Sequence, residues 1–119
     1  MKTINLEKIS KMHNNFINER DWEQFHSVKN LSMAMSVECS ELVELFQWQT
    51  EQDSNSVKEK KELKEKVEDE VADVFLYLIR LSEKCDIDIE GAVLRKIEKN
   101  SKKYPVEKSR GSSKKYTQL

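Results

Sequence analysis

Glycine and proline together account for only 3 of the 119 residues in this chain. Sandwiches of β-strands and repeated βαβ units need many turns, and glycine and proline are the residues that most often form them. Their scarcity therefore predicts long helices. A chain of this length can form one domain with a modest core, and helices with wide apolar stripes would need a partner subunit to cover them.

Two amphipathic helices are predicted in the first half of the chain. Apolar residues recur at helical spacing over residues 4–20, and they do so again from about Ser27 or Asn30 to Gln49. Between these helices the segment RDWEQFHSVKN, at residues 20–30, loses the period and places two aromatic residues and a histidine close together. We expect an ordered loop there.

Two further helices are predicted in the second half. The third helix extends from Ser56, a suitable N-cap, to Lys84, and its first half is almost entirely charged. Asp86 or Asp88 is expected to cap a fourth helix that ends near Lys103. The helices should therefore form an all-α fold similar to a four-helix bundle.

Pro105 is expected to end the fourth helix, because proline cannot continue one. We therefore predict a helical domain over residues 1–104 and a basic, loosely structured tail over residues 105–119. The sequence contains no membrane-length apolar run and no signal-peptide pattern. These absences predict a soluble cytoplasmic protein with no membrane partner.

Acidic residues interrupt the apolar stripes of the second and third helices. Glu38 and Glu41 are three residues apart on the second helix, and Glu70 and Asp73 repeat that spacing on the third. Each pair points at least partly towards the core. If the two helices pack antiparallel, the four carboxylates converge.

Such a cluster needs cations, because unpaired buried carboxylates are strongly disfavoured. No lysine or arginine lies between Asn30 and Gln49 or between Val67 and Ile79. A divalent ion is then the natural counter-charge, and all-oxygen ligation suits Mg²⁺ best and Mn²⁺ next, but not zinc. A di-iron site would need Glu-x-x-His on these helices, and the positions three after the glutamates are instead Glu41, Glu44 and Asp73. The alternative is that the acids lie at the edges of amphipathic helices and are solvated.

The E38-x-x-E41 and E70-x-x-D73 pairs resemble the metal signature of the MazG-like all-α nucleotide pyrophosphohydrolases. Within that group the chain is most similar to the dCTP pyrophosphatases. The segments that carry the resemblance are RDWEQFH (20–26), ECSELVELFQW (38–48), DEVADVFLYL (69–78), AVLRKIEKN (92–100) and GSSKKYTQL (111–119). They cover nearly the whole chain after Met12.

The resemblance implies Mg²⁺-dependent cleavage of a deoxynucleoside triphosphate, dCTP or a modified dCTP, to the monophosphate and pyrophosphate in a homotetramer. It implies that the metal ligands are Glu38, Glu41, Glu70 and Asp73. It further implies a nucleotide pocket formed by His13, Trp22, Glu23, Gln24, Phe25, His26, Trp48 and Tyr77.

Hydrolysis of a phosphoanhydride needs neutralised triphosphate charge and a positioned water, and a carboxylate-bound divalent ion supplies both. Glu38 or Glu41 is the candidate to accept the proton of the attacking water. The aromatic residues suited to stack on a nucleobase are Trp22, Phe25 and Trp48. His26 is the candidate to read the edge of the base.

The chain is basic from Arg95 onward although its net charge is only −1. Lys96, Asn100 and Lys103 would share a helix face suited to phosphate capture, and a merely solubilising tail is the alternative. Nucleic-acid binding is the next alternative for this charge. It is disfavoured because the basic residues are not interleaved with a stacking platform, and Tyr104 and Tyr116 alone make a weak one. The alternative function is a non-catalytic helical interaction or regulatory protein.

Overall fold

The computed structural model describes all residues from Met1 to Leu119, and it contains helices and turns but no strand. The predicted all-α fold is therefore confirmed. The chain divides into two compact units, Met1–Asp86 and Ile87–Leu119. No helix is both long enough and apolar enough to cross a membrane.

The first unit contains three long helices, which are α1 (Leu6–Glu19), α2 (Val28–Glu44) and α4 (Lys61–Lys84). α2 packs along α4, and α1 also contacts α4. Ile17, Leu31 and Ile79, one from each helix, are buried at the centre. The core is small, because the apolar residues of these helices point in more than one direction and many stay exposed.

The segment between α1 and α2 is ordered, as predicted. α1 ends where Asp21 takes a left-handed conformation with φ of 54°, and a 3₁₀ turn follows at Glu23–Phe25. The Ser27 side chain accepts a hydrogen bond from the Asn30 amide at 3.1 Å, which caps α2. A second bond, from the Asn30 side chain to the Phe25 carbonyl at 3.1 Å, closes the loop onto the helix.

α2 ends at Glu44, before the predicted end at Gln49. The chain continues in turns through Trp48, and the Gln49 side chain donates a hydrogen bond to the Leu45 carbonyl at 3.3 Å. That bond satisfies one of the carbonyl groups that the end of a helix leaves free. Trp48 consequently lies beyond the helix, and its side chain is 88% exposed.

The predicted start of the third helix at Ser56 is wrong. The Thr50 side chain instead caps a short helix, α3 (Glu51–Ser54), and a 3₁₀ turn follows at Val57–Glu59. Ser56 makes no capping hydrogen bond, and Lys60 has an extended backbone that separates these turns from α4. The lysine-rich run favours helix throughout, so its composition alone does not mark this break.

The second unit begins with α5 (Ile89–Lys103), close to the helix predicted there. Asp88 occupies its N-cap position without a side-chain hydrogen bond, whereas Asp86 has φ of 53° and lies directly after α4. Residues 105–119 are more ordered than expected. They form α6 (Val106–Ser109) and a final 3₁₀ turn in which Tyr116 packs edge-on against Tyr104, with ring centroids 6.0 Å apart.

Candidate active site

Carboxylates from α2 and α4 converge within the first unit. Oxygen atoms of Glu38, Glu41 and Glu70 all lie within 4.8 Å of one another. Asp73 is one helical turn beyond Glu70 and lines a cavity together with Glu38. These four residues are called the acidic cluster below. The structure thus brings together the acids that the spacing on the two helices predicted to meet.

No basic side chain balances the charge of the acidic cluster, since none of its members forms an ion pair. Partial desolvation raises the pKa of Glu38 to about 7, and a hydrogen bond with Glu41 and the charges of Glu41 and Asp73 act in the same direction. Desolvation, followed by the nearness of Glu41, also raises the pKa of Glu70. Like charges held this close favour either a shared proton or a bound cation.

Two oxygen atoms of the cluster fit the second alternative. Glu38 Oε2 and Glu70 Oε2 are buried and have no hydrogen-bond partner. Buried polar atoms in proteins are almost always satisfied, so two unpartnered carboxylate oxygens in one cluster indicate a place where a cation can bind. A set of donors made only of carboxylates suits Mg²⁺ or Mn²⁺. The residues present therefore fit a hard divalent ion.

A cavity of about 320 Å³ lies beside the acidic cluster. Its lining residues are His13, Phe16, Ile17, Trp22, His26, Glu38, Asp73, Leu76 and Tyr77. Four of them, His13, Trp22, His26 and Tyr77, are among the predicted nucleotide-pocket residues. The cavity has carboxylates on one side and aromatic rings on the other, which suits a ligand with a charged end and a flat end.

The aromatic side of the cavity comes from α1 and the loop that follows it. Phe16 and Trp22 meet edge to face with ring centroids 5.6 Å apart, and the Arg20 guanidinium lies 3.7 Å from the centroid of the Phe16 ring. These contacts hold Trp22 in place without covering it. From its position in the sequence Phe16 is predicted only to pack, because an aromatic residue on an amphipathic stripe is indistinguishable from a core residue.

The two histidines of the cavity are in surroundings that favour the neutral ring. Burial lowers the pKa of His13, and the positive charge of Arg80 contributes to the shift. Burial also lowers the pKa of His26, with a contribution from Lys84. Both imidazoles can therefore act as neutral hydrogen-bonding groups. The pKa of Tyr77, which also lines the cavity, is raised by burial and by the charge of Glu38.

Arg80 also belongs to the surroundings of the cavity, although no sequence motif predicts it there. It is only 8% exposed although it carries a permanent charge. Its partners come from α1, the loop and α4, and they are Asn14, Glu23, His26 and Glu83. One feature of the sequence could have identified Arg80: it is the first basic residue after the stretch of α4 that contains no lysine or arginine.

Four predicted pocket residues lie outside the cavity lining. Glu23 pairs with Arg80 and with Lys84. Gln24 holds the tight turn, since its side chain donates to the Asp21 carbonyl at 3.0 Å. The remaining two, Phe25 and Trp48, have exposed rings.

The predicted phosphate-binding residues Lys96, Asn100 and Lys103 all lie on α5, in the second unit. Lys103 Nζ is 5.0 Å from the centroid of the Tyr116 ring, so the ordered end of the chain contacts this basic helix. Cation–π contact of this kind restrains a lysine without neutralising it. The charge of this helix remains available to an anion.

Known proteins resemble this chain over most of its length. The MazG-like family matches residues 33–119. The dCTP pyrophosphatase 1 proteins of Rattus norvegicus and Homo sapiens are each 41% identical to it over 114 residues, which are 96% of this chain and 67% of the relative. Among solved structures, a pyrophosphatase from Archaeoglobus fulgidus superimposes with a TM-score of 0.76 at 36% identity, covering 88% of this chain and 96% of the other.

Proposed function

The chain belongs to the MazG-like family and is a nucleotide pyrophosphohydrolase, and from this premise we propose that it cleaves dCTP or a modified dCTP to the monophosphate and pyrophosphate. The observation that carries the proposal is a single cavity lined by Asp73 and by Glu38, whose Oε2 is buried and unpartnered, together with Trp22 and two histidines. Triphosphate and base require these two different surfaces. The alternative of a non-catalytic interaction protein does not account for them.

We propose that Glu38, Glu41, Glu70 and Asp73 hold Mg²⁺, with Mn²⁺ as a substitute. When bound, the ion neutralises triphosphate charge and makes its water more acidic. We assign acceptance of the water proton to the Glu38–Glu41 pair, because partial desolvation and the neighbouring Glu41 carboxylate raise the pKa of Glu38 and so favour its protonation. The buried, unpartnered oxygens of Glu38 and Glu70 support the assignment of the metal ligands.

On the other side of the cavity, Trp22 would stack on the base and keep water from it, while His26 would hydrogen-bond to its edge. Tyr77 would close the cavity next to the carboxylates. Lys96, Asn100 and Lys103 on α5 are proposed to bind the phosphates, since the last turns of α5 are rich in lysine.

We also propose that the protein is a homotetramer. One groove on the first unit is lined almost entirely by apolar side chains of α2 and α4, including Leu42, Val71, Phe75 and Leu78. Exposed apolar surfaces of this kind are typical of interfaces between subunits. A monomeric mass in solution at micromolar protein concentration would contradict the proposal. A cytoplasmic location stays a prediction from the sequence.

The assembly also matters for Trp48. Trp48 is exposed and does not line the cavity of its own chain, so we propose that it contacts a nucleotide bound in the cavity of another copy. Replacing Trp22 by alanine should raise KM for every dNTP by about 5- to 150-fold, the value of one stacking contact, and leave the Mg²⁺ requirement unchanged. Trp48→Ala should do the same only if the oligomer brings Trp48 to a cavity. Wild-type KM in both variants would mean that neither tryptophan contacts the bound nucleotide.

The proposed activity is tested with a panel of canonical and modified dNTPs in the presence of Mg²⁺, in which both pyrophosphate and the monophosphate are measured. We expect equal amounts of the two products and the highest kcat/KM with a cytosine nucleotide. A preference for another base would contradict the proposed substrate but agree with the proposed reaction. Release of orthophosphate, or no cleavage of any dNTP, would overturn the reaction itself.

A further inference from the structure

Arg80 is a buried cation whose hydrogen bonds reach the wall of the cavity. Its Nε donates to His26 Nδ1 at 3.4 Å, and one of its terminal nitrogens donates to Asn14 Oδ1 at 3.0 Å. The other terminal nitrogen contacts the Glu23 carboxylate. The planar guanidinium thus connects α1, the loop and α4 through bonds that point in fixed directions.

The contact with His26 has a chemical consequence. Arginine has five N–H donors, no acceptor and a charge that it does not lose, so a ring nitrogen that faces it must offer a lone pair. His26 Nδ1 is therefore unprotonated. A neutral imidazole carries its one proton on the other nitrogen, so Nε2 is the donor that remains for the cavity that His26 lines.

The remaining contacts keep the guanidinium from turning away. Asn14 and Glu23 hold its two ends from α1 and the loop, and Glu83 Oε2 lies 3.4 Å from the same nitrogen that binds Asn14. Glu83 is itself fixed by a hydrogen bond from Ser10. Arg80 can thus aim Nε at His26 without depending on the substrate.

We propose that Arg80 is a positioning residue that fixes the tautomer of His26, so that Nε2–H is the hydrogen-bond donor presented to the base. This inference rests on the proposed function for the identity of the ligand. A donor at this position pairs with a base edge that offers an acceptor, such as the unprotonated N3 of cytosine. It opposes the N3–H of thymine or uracil. Arg80 would in this way support discrimination between pyrimidines without touching the nucleotide.

The tautomer can be measured without substrate or metal. The chain has only 2 histidines, so the imidazole nitrogens of ¹⁵N-histidine-labelled protein give two sets of NMR signals, and a His13→Asn variant assigns them. In the wild type we expect His26 to show an unprotonated Nδ1 and a protonated Nε2. A proton on Nδ1 would overturn the proposal.

The variants are Arg80→Met, which removes every donor, and Arg80→Lys, which keeps the charge but cannot serve all the partners from one point. Both should shift the His26 nitrogen signals towards a mixture of tautomers, Met more than Lys. Lys84→Met is the matched control, because it removes the other partner of Glu23, and Lys84 makes no hydrogen bond with His26. The charge of Lys84 does act on the pKa of His26, so the signals are compared at a pH at which the ring is neutral in every variant. If Arg80→Met does not fold, Arg80→Lys against Lys84→Met decides. Unchanged His26 signals in the folded Arg80 variants would overturn the proposal, even if their melting temperatures fell.

Substrate discrimination provides the second readout. The ratio of kcat/KM for dCTP to that for dTTP should fall about fivefold in the Arg80 variants, the value of about one neutral hydrogen bond, and should not change in Lys84→Met. A changed tautomer with an unchanged ratio would overturn the link between Arg80 and base choice. Should the wild type cleave no dNTP, the proposed function fails while the tautomer measurement still tests the role of Arg80.

Discussion

The acidic cluster and the surroundings of Arg80 lie around one cavity and differ in how their charges are balanced. Around Arg80, two cations meet two carboxylates, since Arg80 and Lys84 pair with Glu23 and Glu83. In the acidic cluster, carboxylates face each other without any cation. Folding alone explains the first arrangement, because each buried charge has a partner. The second is relieved either by a shared proton or by a bound cation.

The difference indicates which charges serve the fold and which serve a ligand. A balanced set loses stability when one member is removed, because a partner is left without its hydrogen bond. An unbalanced set gains stability when one member is removed, because repulsion falls. Substitutions that remove a single charge should therefore have opposite effects on stability at the two places.

The largest expected effect is on catalysis. Glu41→Gln should lower kcat by about 100- to 10,000-fold at saturating Mg²⁺, because it removes a metal ligand or the acceptor of the water proton. Circular dichroism should show an unchanged helical protein. Glu44→Gln is the control, since it is also an acidic residue on α2 but is exposed and stands outside the cluster. Retained turnover in Glu41→Gln would remove Glu41 from the site.

The next effect is on stability, measured by urea unfolding in metal-free buffer. Arg80→Met should lower the free energy of unfolding by about 2 to 3 kcal/mol, because Asn14 and Glu23 lose a buried donor. Glu41→Gln should raise it under the same conditions. Lys84→Met should cost less than about 1 kcal/mol, since its side chain is more solvated. A loss of stability in both Arg80→Met and Glu41→Gln would refute the contrast between the two places.

The two places also differ in how far sequence could predict them. The acidic cluster depends on spacing within two helices, and an interval of three residues on each of α2 and α4 is enough to place both pairs on one face. The helical class was predictable from the scarcity of glycine and proline. The set around Arg80 joins α1, the loop and α4, and no local pattern shows that residues so far apart in the chain meet.

The predicted helix ends were also wrong where single capping hydrogen bonds determine where a helix begins or ends. Thr50 rather than Ser56 begins a helical turn, and Gln49 caps the end of α2, so Trp48 falls outside the helix on which it was placed. These outcomes depend on one or two hydrogen bonds among several residues of equal propensity. The positions of Glu23 and Gln24 outside the cavity have the same origin, because their side chains hold the loop instead.

The smallest expected effect concerns pH, and it isolates Glu38. Its pKa is raised from 4.5 to about 7 in the folded protein, so between these values the folded state retains a proton that the unfolded chain has lost. Stability without metal should therefore fall as pH rises through that interval. The lowered pKa values of His13 and His26 act in the opposite direction, since their neutral forms favour folding as pH rises.

The contribution of Glu38 is accordingly measured as the difference between Glu38→Gln and the wild type. In EDTA the two should be almost equally stable near pH 5, and the variant should be the more stable near pH 7.5, by a modest amount because Glu38 keeps some contact with water. Mg²⁺ must displace the shared proton, so its stabilisation of the wild type should grow over the same interval and be smaller in Glu38→Gln. A difference that does not change with pH would mean that Glu38 is ionised throughout. The acidic cluster would then hold ionised carboxylates without a cation, whereas Glu23 and Glu83 are paired with Arg80.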